Sequence, residues 1–157
     1  MPNNAVNSPG SKVSWAVETV AGTRPTTGFK QLKGVTAVPP IANDLPTHDV
    51  TPIDAANRHY IMALPDPGGT IGLTVNDAKD FRDSFDEMKT AYDALADGKR
   101  LWIQISYPSG SELDSFFFPA DTGDLGFGGI DVDTPLGNTL NFAVTGDFTW
   151  ATAVDPT

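Results

Sequence analysis

The hydrophobic pattern changes its period from about two to about three and a half, and back to two, only within residues 76–110. There, apolar side chains recur in steps of three and four and form one continuous stripe. The central members of this stripe are Phe81, Phe85, Met88 and Tyr92. Asn76 or Asp77 is suited to capping the start of a helix, and Gly98 to ending it in a left-handed conformation. The pattern predicts one helix of about 20 residues whose stripe packs on a core.

Strands are predicted on both sides of this helix from the alternation of apolar and polar residues. Those before it span 12–20, about 29–35, 59–64 and 70–75, and those after it span 101–107, 111–118 and 140–150. We expect 59–64 and 70–75 to form a hairpin that leads into the helix, and 101–107 to pair with 111–118. A glycine-rich bend or bulged strand is expected over 121–133. The predicted fold is mainly β with one α-helix: an antiparallel β-sandwich or partly closed barrel with the helix packed on it.

The last predicted strand has a regular alternation over 140–150. Its apolar face carries Leu140, Phe142, Val144, Phe148 and Trp150. Its polar face carries Asn141, Thr145, Asp147 and Thr149. Because side chains alternate between the two faces of a sheet, this pattern predicts one core face and one face in contact with water.

Two further stretches lack a pattern able to bury itself. Residues 1–11 are rich in Asn, Pro and Ser, so they are predicted to be a flexible arm before a single domain of residues 12–150. A short tail, 151–157, follows that domain. Residues 39–57 contain four prolines, which exclude a central strand or a helix and predict a long loop of the kind that commonly binds a partner. This loop is more apolar than a linker requires, because it carries Ile41, Leu45, Val50 and Ile53.

Length and composition restrict the class of protein. A chain of 157 residues with 39% apolar content builds one ordinary domain with its own core. The absence of cysteine excludes disulfides, thiolate metal sites and cysteine nucleophiles. The sequence has neither a basic and apolar leader nor a run of about 18 apolar residues, so a soluble protein without a targeting segment is predicted.

Charge is distributed unevenly along the chain. The net charge is −10, and residues 1–43, with four basic side chains and one acidic side chain, contribute +3, so the remainder carries −13. An acidic body repels phosphate groups, which disfavours binding to a nucleic-acid backbone. The basic front segment is suited to attract the acidic body of another copy, although the same charges also serve simply to keep a protein in solution.

The sequence contains no recognisable catalytic motif: a Gly-x-Ser-x-Gly elbow, a phosphate-binding loop and paired zinc-ligand histidines are all absent. His48 and His59 are each able to act as a base or a ligand, but a solvated or structurally hydrogen-bonded histidine is the simpler interpretation. Asp131 and Asp133 suggest paired carboxylates or a weak calcium site, yet the spaced ligands and the glycine of a calcium loop are missing. The prediction is a protein that is not an enzyme and has no catalytic, cofactor or metal site.

Five features together carry a resemblance to a known family. They are Ser14-Trp15-Ala16-Val17-Glu18-Thr19 at the front, the long loop, the strand 69–75 that enters the helix over 81–95, the segment Gly98-Lys-Arg-Leu-Trp-Ile-Gln-Ile-Ser-Tyr-Pro-Ser-Gly, and the closing strand 138–150. In this order they resemble the tail tube proteins of long-tailed bacteriophages, whose fold is shared with type VI secretion tube subunits. The resemblance implies a structural virion protein, six copies of which form a ring, with rings stacked into a hollow tail tube through which DNA is ejected. It also implies no cofactor, no membrane, no specific DNA binding, assembly in the host cytoplasm, and contact with other tail proteins at the tube ends.

Site hypotheses follow from the resemblance combined with the residue pattern. The polar face of the last strand, with Asn141, Thr145, Asp147 and Thr149, is expected to line the lumen, because cations there would hold phosphate groups. Contacts between rings are expected from Ile41, Leu45, Val50 and Ile53, with the loop becoming ordered only in the assembly. The alternative function is a non-catalytic binding module, such as a capsid-decorating or carbohydrate-binding β-sandwich, which would remain a small species in solution.

Overall fold

The computed structural model describes residues 10–42, 44–64, 69–107 and 114–157, and within them it forms ten strands and one helix. The strands before the helix are β1 (Lys12–Val17), β2 (Lys30–Gln31), β3 (Val35–Ala37), β4 (Thr47–Asp49), β5 (Tyr60–Met62) and β6 (Thr70–Asn76). The helix α1 spans Lys79–Asp93. The strands after it are β7 (Leu101–Ser106), β8 (Ser115–Thr122), β9 (Gly137–Val144) and β10 (Thr149–Ala151). Most of the predicted N-terminal arm, 1–11, and the predicted strand start at 111–113 lie outside the described residues.

Eight of these strands form one antiparallel sheet in the order β2-β1-β7-β8-β9-β6-β3, with β10 paired to β8. The sheet curls into a half-barrel, and α1 packs across its core face, the face that carries Ile103, Phe118 and Phe142. The remaining strands, β4 and β5, form a separate two-stranded sheet. The prediction of a mainly β, antiparallel fold with a single packed helix is confirmed.

The core consists of two clusters on opposite faces of the sheet. The larger cluster lies between the sheet and α1, where Phe81 and Met88 of the helix are fully buried. The smaller cluster lies on the outer face and consists of Ala16, Phe29, Trp102 and Phe117. Because alternate residues of a strand point to opposite faces, β8 places Phe116 and Phe118 in the larger cluster and the phenylalanine between them in the smaller one. Both faces of this strand are therefore covered within one subunit.

The C-terminal segment covers the outer cluster. The side chain of Gln104 donates to the carbonyl oxygen of Val154 at 2.8 Å and accepts from the N–H of the same residue at 3.0 Å. The N–H of Thr157 donates to the carbonyl oxygen of Phe29 at 2.9 Å. Residues 151–157, predicted as a short tail, thus pack against the domain.

The helix is shorter than predicted, with 15 residues. Its N-cap is Ala78, and no side chain caps it. Asn76 is the last residue of β6, and the carboxylate of Asp77 accepts hydrogen bonds from Arg82, one of them from Nη2 at 2.6 Å. The predicted capping roles of Asn76 and Asp77 are therefore wrong, because a strand and an ion pair engage these residues instead. Gly98 has the predicted left-handed conformation, with φ of 81°, but it lies beyond the end of the helix.

The strands before the helix pair differently from the prediction. β5 pairs with β4, with His48 opposite Ile61, so the predicted hairpin of 59–64 with 70–75 is wrong. β4 lies inside the predicted loop 39–57, between Pro46 and Pro52. Proline is tolerated at the ends of a short strand because it lacks only the one N–H that the ladder does not use there. β6 instead lies between β9 and β3.

The predicted last strand, 140–150, is interrupted between β9 and β10. Val144 lies opposite Ala120 and Thr149 lies opposite Phe117, so four residues on one strand face two on β8. One of those two is Pro119, which has no N–H to donate and whose carbonyl oxygen accepts from the N–H of Thr145 at 3.0 Å. The excess of two residues is an even number, so the side chains of β10 keep the same alternation between faces as those of β9.

Candidate functional site

The outer face of β6 and β9 is polar and exposed to solvent. Thr74 lies opposite Thr139 and Gly72 opposite Asn141, and the three larger side chains are all exposed. Gly72 leaves room for this amide, since a Cβ at this position would lie 2.9 Å from Oδ1 of Asn141 and the exposed Asn141 side chain would have to shift. β6 and β9 contain no charged residue. This surface therefore offers hydroxyl and amide groups but no cation.

The structure places the four predicted lumen residues in two environments. Asn141 belongs to the outer face of β9, and Thr149 lies on the outer face of β10, opposite Phe117. Thr145 and Asp147 lie in the interruption between these strands. All four are exposed, but they do not line up along one continuous strand as the alternation predicted.

The predicted helix stripe lies against the core face of the sheet. Phe81 and Met88 are fully buried, whereas Phe85 and Tyr92 are half-buried and pack against the larger cluster. The hydroxyl of Tyr92 donates to the carboxylate of Asp121 at 3.1 Å. Burial is the main cause that raises the pKa of Tyr92 above its usual value, and the carboxylate of Asp121 raises it further. The stripe therefore serves the interior of the subunit, with a polar contact at its end.

Residues 44–64, here called the hairpin arm, project a ribbon that their own domain leaves uncovered. Every residue of β4 and β5 is exposed, on both faces of the two-stranded sheet. The exposed large apolar side chains of the arm are Leu45, Val50, Ile53, Tyr60, Ile61, Met62 and Leu64. An isolated two-stranded hairpin is marginally stable in water, so a covering surface would stabilise this one.

The four predicted contact residues of the long loop differ in accessibility. Leu45 is 60% exposed and Ile53 is completely exposed, and Val50 is also exposed. Ile41 is half-buried and packs against the larger core cluster of its own subunit. The exposed apolar residues 60–64 were missed as contact residues, because their run of apolar residues was interpreted as a strand in the main sheet.

Several polar contacts hold the two sides of the hairpin arm together. At its base, the N–H of Ala63 donates to the carbonyl oxygen of Pro46 at 2.7 Å. Near its tip, the N–H of His59 donates to Oγ1 of Thr51 at 2.8 Å, and Asp49 lies 3.8 Å from Arg58. The arm is therefore a defined hairpin, and not the structureless loop that its prolines predicted.

Residues 123–136, here called the apolar loop, form no strand between β8 and β9. Three of its side chains are largely exposed, namely Phe127 at 74%, Ile130 at 79% and Val132 at 97%. Sequence reasoning noticed the glycines of this stretch and not its exposed apolar residues. Its large apolar residues stand among glycines and aspartates, which are typical of turns at the surface, and that combination is the signal that would have identified it.

The two histidines and the paired aspartates are all exposed to solvent. His48 and His59 are both exposed on the hairpin arm. Asp131 is also exposed, and its carboxylate accepts the N–H of Asp133 at 3.1 Å, which is a local turn contact. Within the described residues, no three His, Asp or Glu side chains are grouped closely enough to hold a metal ion.

One buried carboxylate connects β1 to the start of β7. The side chain of Glu18 has no solvent exposure and accepts hydrogen bonds from Nε1 of Trp102 at 2.8 Å and from Nε of Arg100 at 3.1 Å. The N–H of Gly22 donates to it at 2.9 Å. Burial alone would raise the pKa of Glu18, but these hydrogen bonds together outweigh that effect and lower the pKa below its usual value. This site is structural, since all its surrounding donors are engaged in holding the carboxylate.

Comparison with solved structures gives the fold class a context. The chain is similar to a chain of the anti-feeding prophage (AFP) baseplate, determined with six-fold symmetry, with a TM-score of 0.67, 11% identity, and coverage of 97% of this chain and 98% of that one. It is also similar to a chain from the tail of an empty GTA particle, determined by helical refinement with C6 symmetry, with a TM-score of 0.60, 15% identity, and coverage of 94% and 100%. No protein-family model and no curated protein matches the sequence. The chain therefore has a fold that also occurs in tail and baseplate particles, at an identity that establishes the fold alone.

No helix within the described residues is able to span a membrane. α1 is the one helix among them, and it is too short and too polar to cross a bilayer.

Proposed function

We propose that this chain is a subunit of a virion tail tube, in which six copies form a ring and stacked rings enclose a channel for DNA ejection. The observation that carries the proposal is the shared fold, which covers nearly the full length of this chain and of two chains from six-fold-symmetric baseplate and tail particles. Other tail proteins would bind at the ends of the tube, and assembly would take place in the host cytoplasm. No enzymatic activity is part of this role.

The outer face of β6 and β9 is the proposed lumen surface. Asn141 is its central residue, with Thr74 and Thr139 beside it, and Thr145, Asp147 and Thr149 continue it beyond β9. Each ring would present six copies of a surface without lysine or arginine. Because several cationic contacts add up to strong, salt-dependent DNA binding, such a surface would let DNA pass without holding it.

The hairpin arm is the proposed contact between rings. Leu45, Val50 and Ile53 offer their apolar side chains to a neighbour, while Ile41 anchors the arm on its own core. Burial stabilises association by about 25 cal/mol for each Å² of apolar surface removed from water. Contacts from several subunits at once would raise the effective concentration of each further contact.

Negative-stain electron microscopy and size-exclusion chromatography of the purified chain test the proposal. Rings of six and tubes that appear as the protein concentration rises are the expected result. A stable monomer or dimer at all concentrations would contradict it. A monomer that binds a carbohydrate or a capsid protein would favour the alternative, a non-catalytic binding module.

The lumen assignment predicts an effect of added cations. We expect tubes of Thr139→Lys with Asn141→Lys to retain DNA that nuclease cannot reach, because the new ammonium groups would bind phosphates inside the channel. The measurement is nuclease-protected DNA, which should fall as salt is raised. The control is Thr90→Lys with Ala94→Lys, at exposed positions on α1 and at its C-cap, which adds the same charge and should leave bound DNA open to digestion. Equal protection in both variants would mean that the assignment is wrong.

A further inference from the structure

The hairpin arm has a free strand edge on each side. Within the described residues, β4 and β5 pair only with each other, so each of them has one side without a neighbouring strand. Such an edge presents a row of backbone N–H and C=O groups to which a further strand is able to add. The two edges of the arm are therefore candidates for a contact made through the backbone.

The bonds between β4 and β5 determine which backbone groups of β5 point outward. The N–H of Val50 donates to the carbonyl oxygen of His59 at 2.9 Å, so the backbone of His59 points toward β4. The backbone groups of an antiparallel strand point inward and outward at alternate residues. Tyr60 and Met62 therefore direct their N–H and C=O groups away from β4, and Ile61 directs its own toward β4.

The two edges differ in how well they are protected. β4 contains Asp49 and lies between Pro46 and Pro52. Charged residues and prolines are common means by which proteins prevent another strand from adding to an edge. β5 contains tyrosine, isoleucine and methionine, with neither charge nor proline, and all three residues are exposed. The unprotected edge of the arm is therefore that of β5.

We infer that β5 pairs with β5 of a second copy, antiparallel and around a two-fold axis at Ile61. The two arms then form one four-stranded sheet with β4 of each copy on the outside. Tyr60 exchanges both backbone hydrogen bonds with Met62 of the second copy, and the reverse pair adds two more bonds. Ile61 lies opposite Ile61 of the second copy, at the close position that favours contact between branched side chains. This is the register that pairs all three residues of β5 with all three of the second β5.

A second β5 suits this edge better than the other strands of the chain that pair on one side alone. β2 is fully exposed too, but it has two residues and one of them is Lys30. β3 is followed closely by Pro39 and Pro40, which limits how far a ladder is able to continue. A two-fold contact also requires no match between different surfaces, because each copy presents the same edge.

The charged groups of the two arms do not oppose one another in this arrangement. At about 4.8 Å between neighbouring strands, the two copies of β4 lie about 14 Å apart, which exceeds the screening length of about 8 Å in physiological salt. The Asp49 carboxylates on β4 are therefore screened from each other, and each lies 3.8 Å from Arg58 of its own chain. Arg58 would lie opposite Leu64 of the second copy.

This contact goes beyond the proposed function and does not rest on it. A two-fold contact closes at two copies, so it builds neither a ring nor a tube by itself. Because it is confined to one strand edge, it is smaller than a standard interface, and a reversible dimer is expected. In a tube-forming protein, such dimers would hold free subunits with their arms engaged until the arms separate and contact another ring.

Disulfide trapping tests the pairing and its register, because the chain has no cysteine of its own. Residues opposite each other at the close position have Cα atoms about 4.5 Å apart, which a disulfide is able to span. We expect Ile61→Cys to form disulfide-linked dimers under mild oxidation at least about 10-fold faster than Thr47→Cys, the matched control on the exposed β4. Non-reducing gel electrophoresis measures both rates. Equal rates would overturn the inference.

A pair of proline variants tests whether the backbone makes the contact. Met62→Pro removes one outward N–H from each β5 and leaves the pairing of Ile61 with β4 in place. We expect it to raise the dissociation constant of the dimer at least about 10-fold, since two of the four bonds are lost. Thr47→Pro makes the same change on the outward side of β4 and should leave the dimer unaffected.

Sedimentation velocity measures these dissociation constants, because it resolves monomers, dimers and larger species in one run. The wild type should show a dimer whose share rises with concentration. A wild type without a dimer at concentrations up to about 1 mM would overturn the inference. An equal effect of the two proline variants would also overturn it. A dimer that never gives rise to rings or tubes would support this contact and contradict the proposed function, so the two failures are distinguishable.

Discussion

The Glu18 side chain is charged and has no solvent exposure, and Glu18→Gln removes that charge while keeping the shape of the side chain. We expect the variant to lose about 1–3 kcal/mol of unfolding free energy at pH 7, because charge-assisted hydrogen bonds from Trp102 and Arg100 are weakened. Urea denaturation of both proteins measures the difference. Asp86→Asn, on the exposed surface of α1, is the control and should change stability by less than about 0.5 kcal/mol.

The same pair of proteins has a defined pH dependence. The pKa of Glu18 is lower in the folded state than its ordinary value of 4.5, so the folded chain gives up this proton more readily than the unfolded chain. Its stabilising contribution is complete above the unfolded pKa and is lost as the pH falls through the folded pKa. The stability advantage of wild type over Glu18→Gln should therefore shrink on acidification below about pH 4.5. An advantage that grows in acid would contradict the direction of the pKa shift.

Alanine substitutions at Gly34 and Gly22 distinguish the energetic cost of backbone strain from that of steric overlap. Both have a left-handed φ, of 80° and 77°, but a Cβ on Gly34 would lie 2.9 Å from the Cβ of Phe81, whereas a Cβ on Gly22 would meet nothing within 4 Å. We expect Gly22→Ala to cost about 1 kcal/mol from strain alone. Gly34→Ala should cost a further 1–3 kcal/mol or so, because β3 must move away from α1. Equal losses in thermal unfolding of the two variants would show that the helix yields without cost.

At the scale of elements, the side chains of the helix stripe differ in how deeply they are buried. Phe81 is fully buried and Phe85 is half-buried. We expect Phe81→Ala to cost about 3–5 kcal/mol and Phe85→Ala roughly half of that, since the second side chain leaves less of a cavity. Asp86→Ala, on the exposed side of the same helix, should cost less than about 0.5 kcal/mol. A melting temperature unchanged by Phe81→Ala would mean that the stripe is not part of the core.

The sequence determined the helix stripe well because one amphipathic period sets its register locally. Strand pairing is a different problem, since the apolar run of β5 fits more than one strand edge. The contacts that select β4 lie within the arm itself, such as the hydrogen bond from the N–H of His59 to Oγ1 of Thr51, and no periodic pattern reports them. The end of β9 was missed for a similar reason. The interruption is caused by Pro119, which lies on the neighbouring strand and is about 25 positions away in sequence, so no pattern within 140–150 reports it. The exposure of the hairpin arm was also missed, because it depends on which side chains the rest of the folded domain covers.

At the scale of the whole molecule, the hairpin arm and the sheet domain are distinct units of stability. The arm forms its own two-stranded sheet, and its two sides already meet where the N–H of Ala63 donates to the carbonyl oxygen of Pro46. The core clusters contain no residue of β4 or β5. We therefore expect the domain to fold without the arm, and the proposed assembly to need it.

Removing residues 47–62 and joining Pro46 to Ala63 through Asn-Gly tests this division, because that pair of residues favours a tight hairpin turn. Ile41 is retained, since it packs on the core. We expect a folded monomer whose melting temperature lies within a few degrees of wild type, a shift that corresponds to about 1 kcal/mol or less. Tubes should be absent in micrographs at concentrations where the wild type forms them, because the excised residues carry five of the arm's seven exposed large apolar side chains. The control keeps the arm's length and replaces Thr47 and Thr51 by serine, which preserves its polar positions and should assemble normally. Tubes of wild-type appearance from the excised chain would exclude the hairpin arm as an assembly contact.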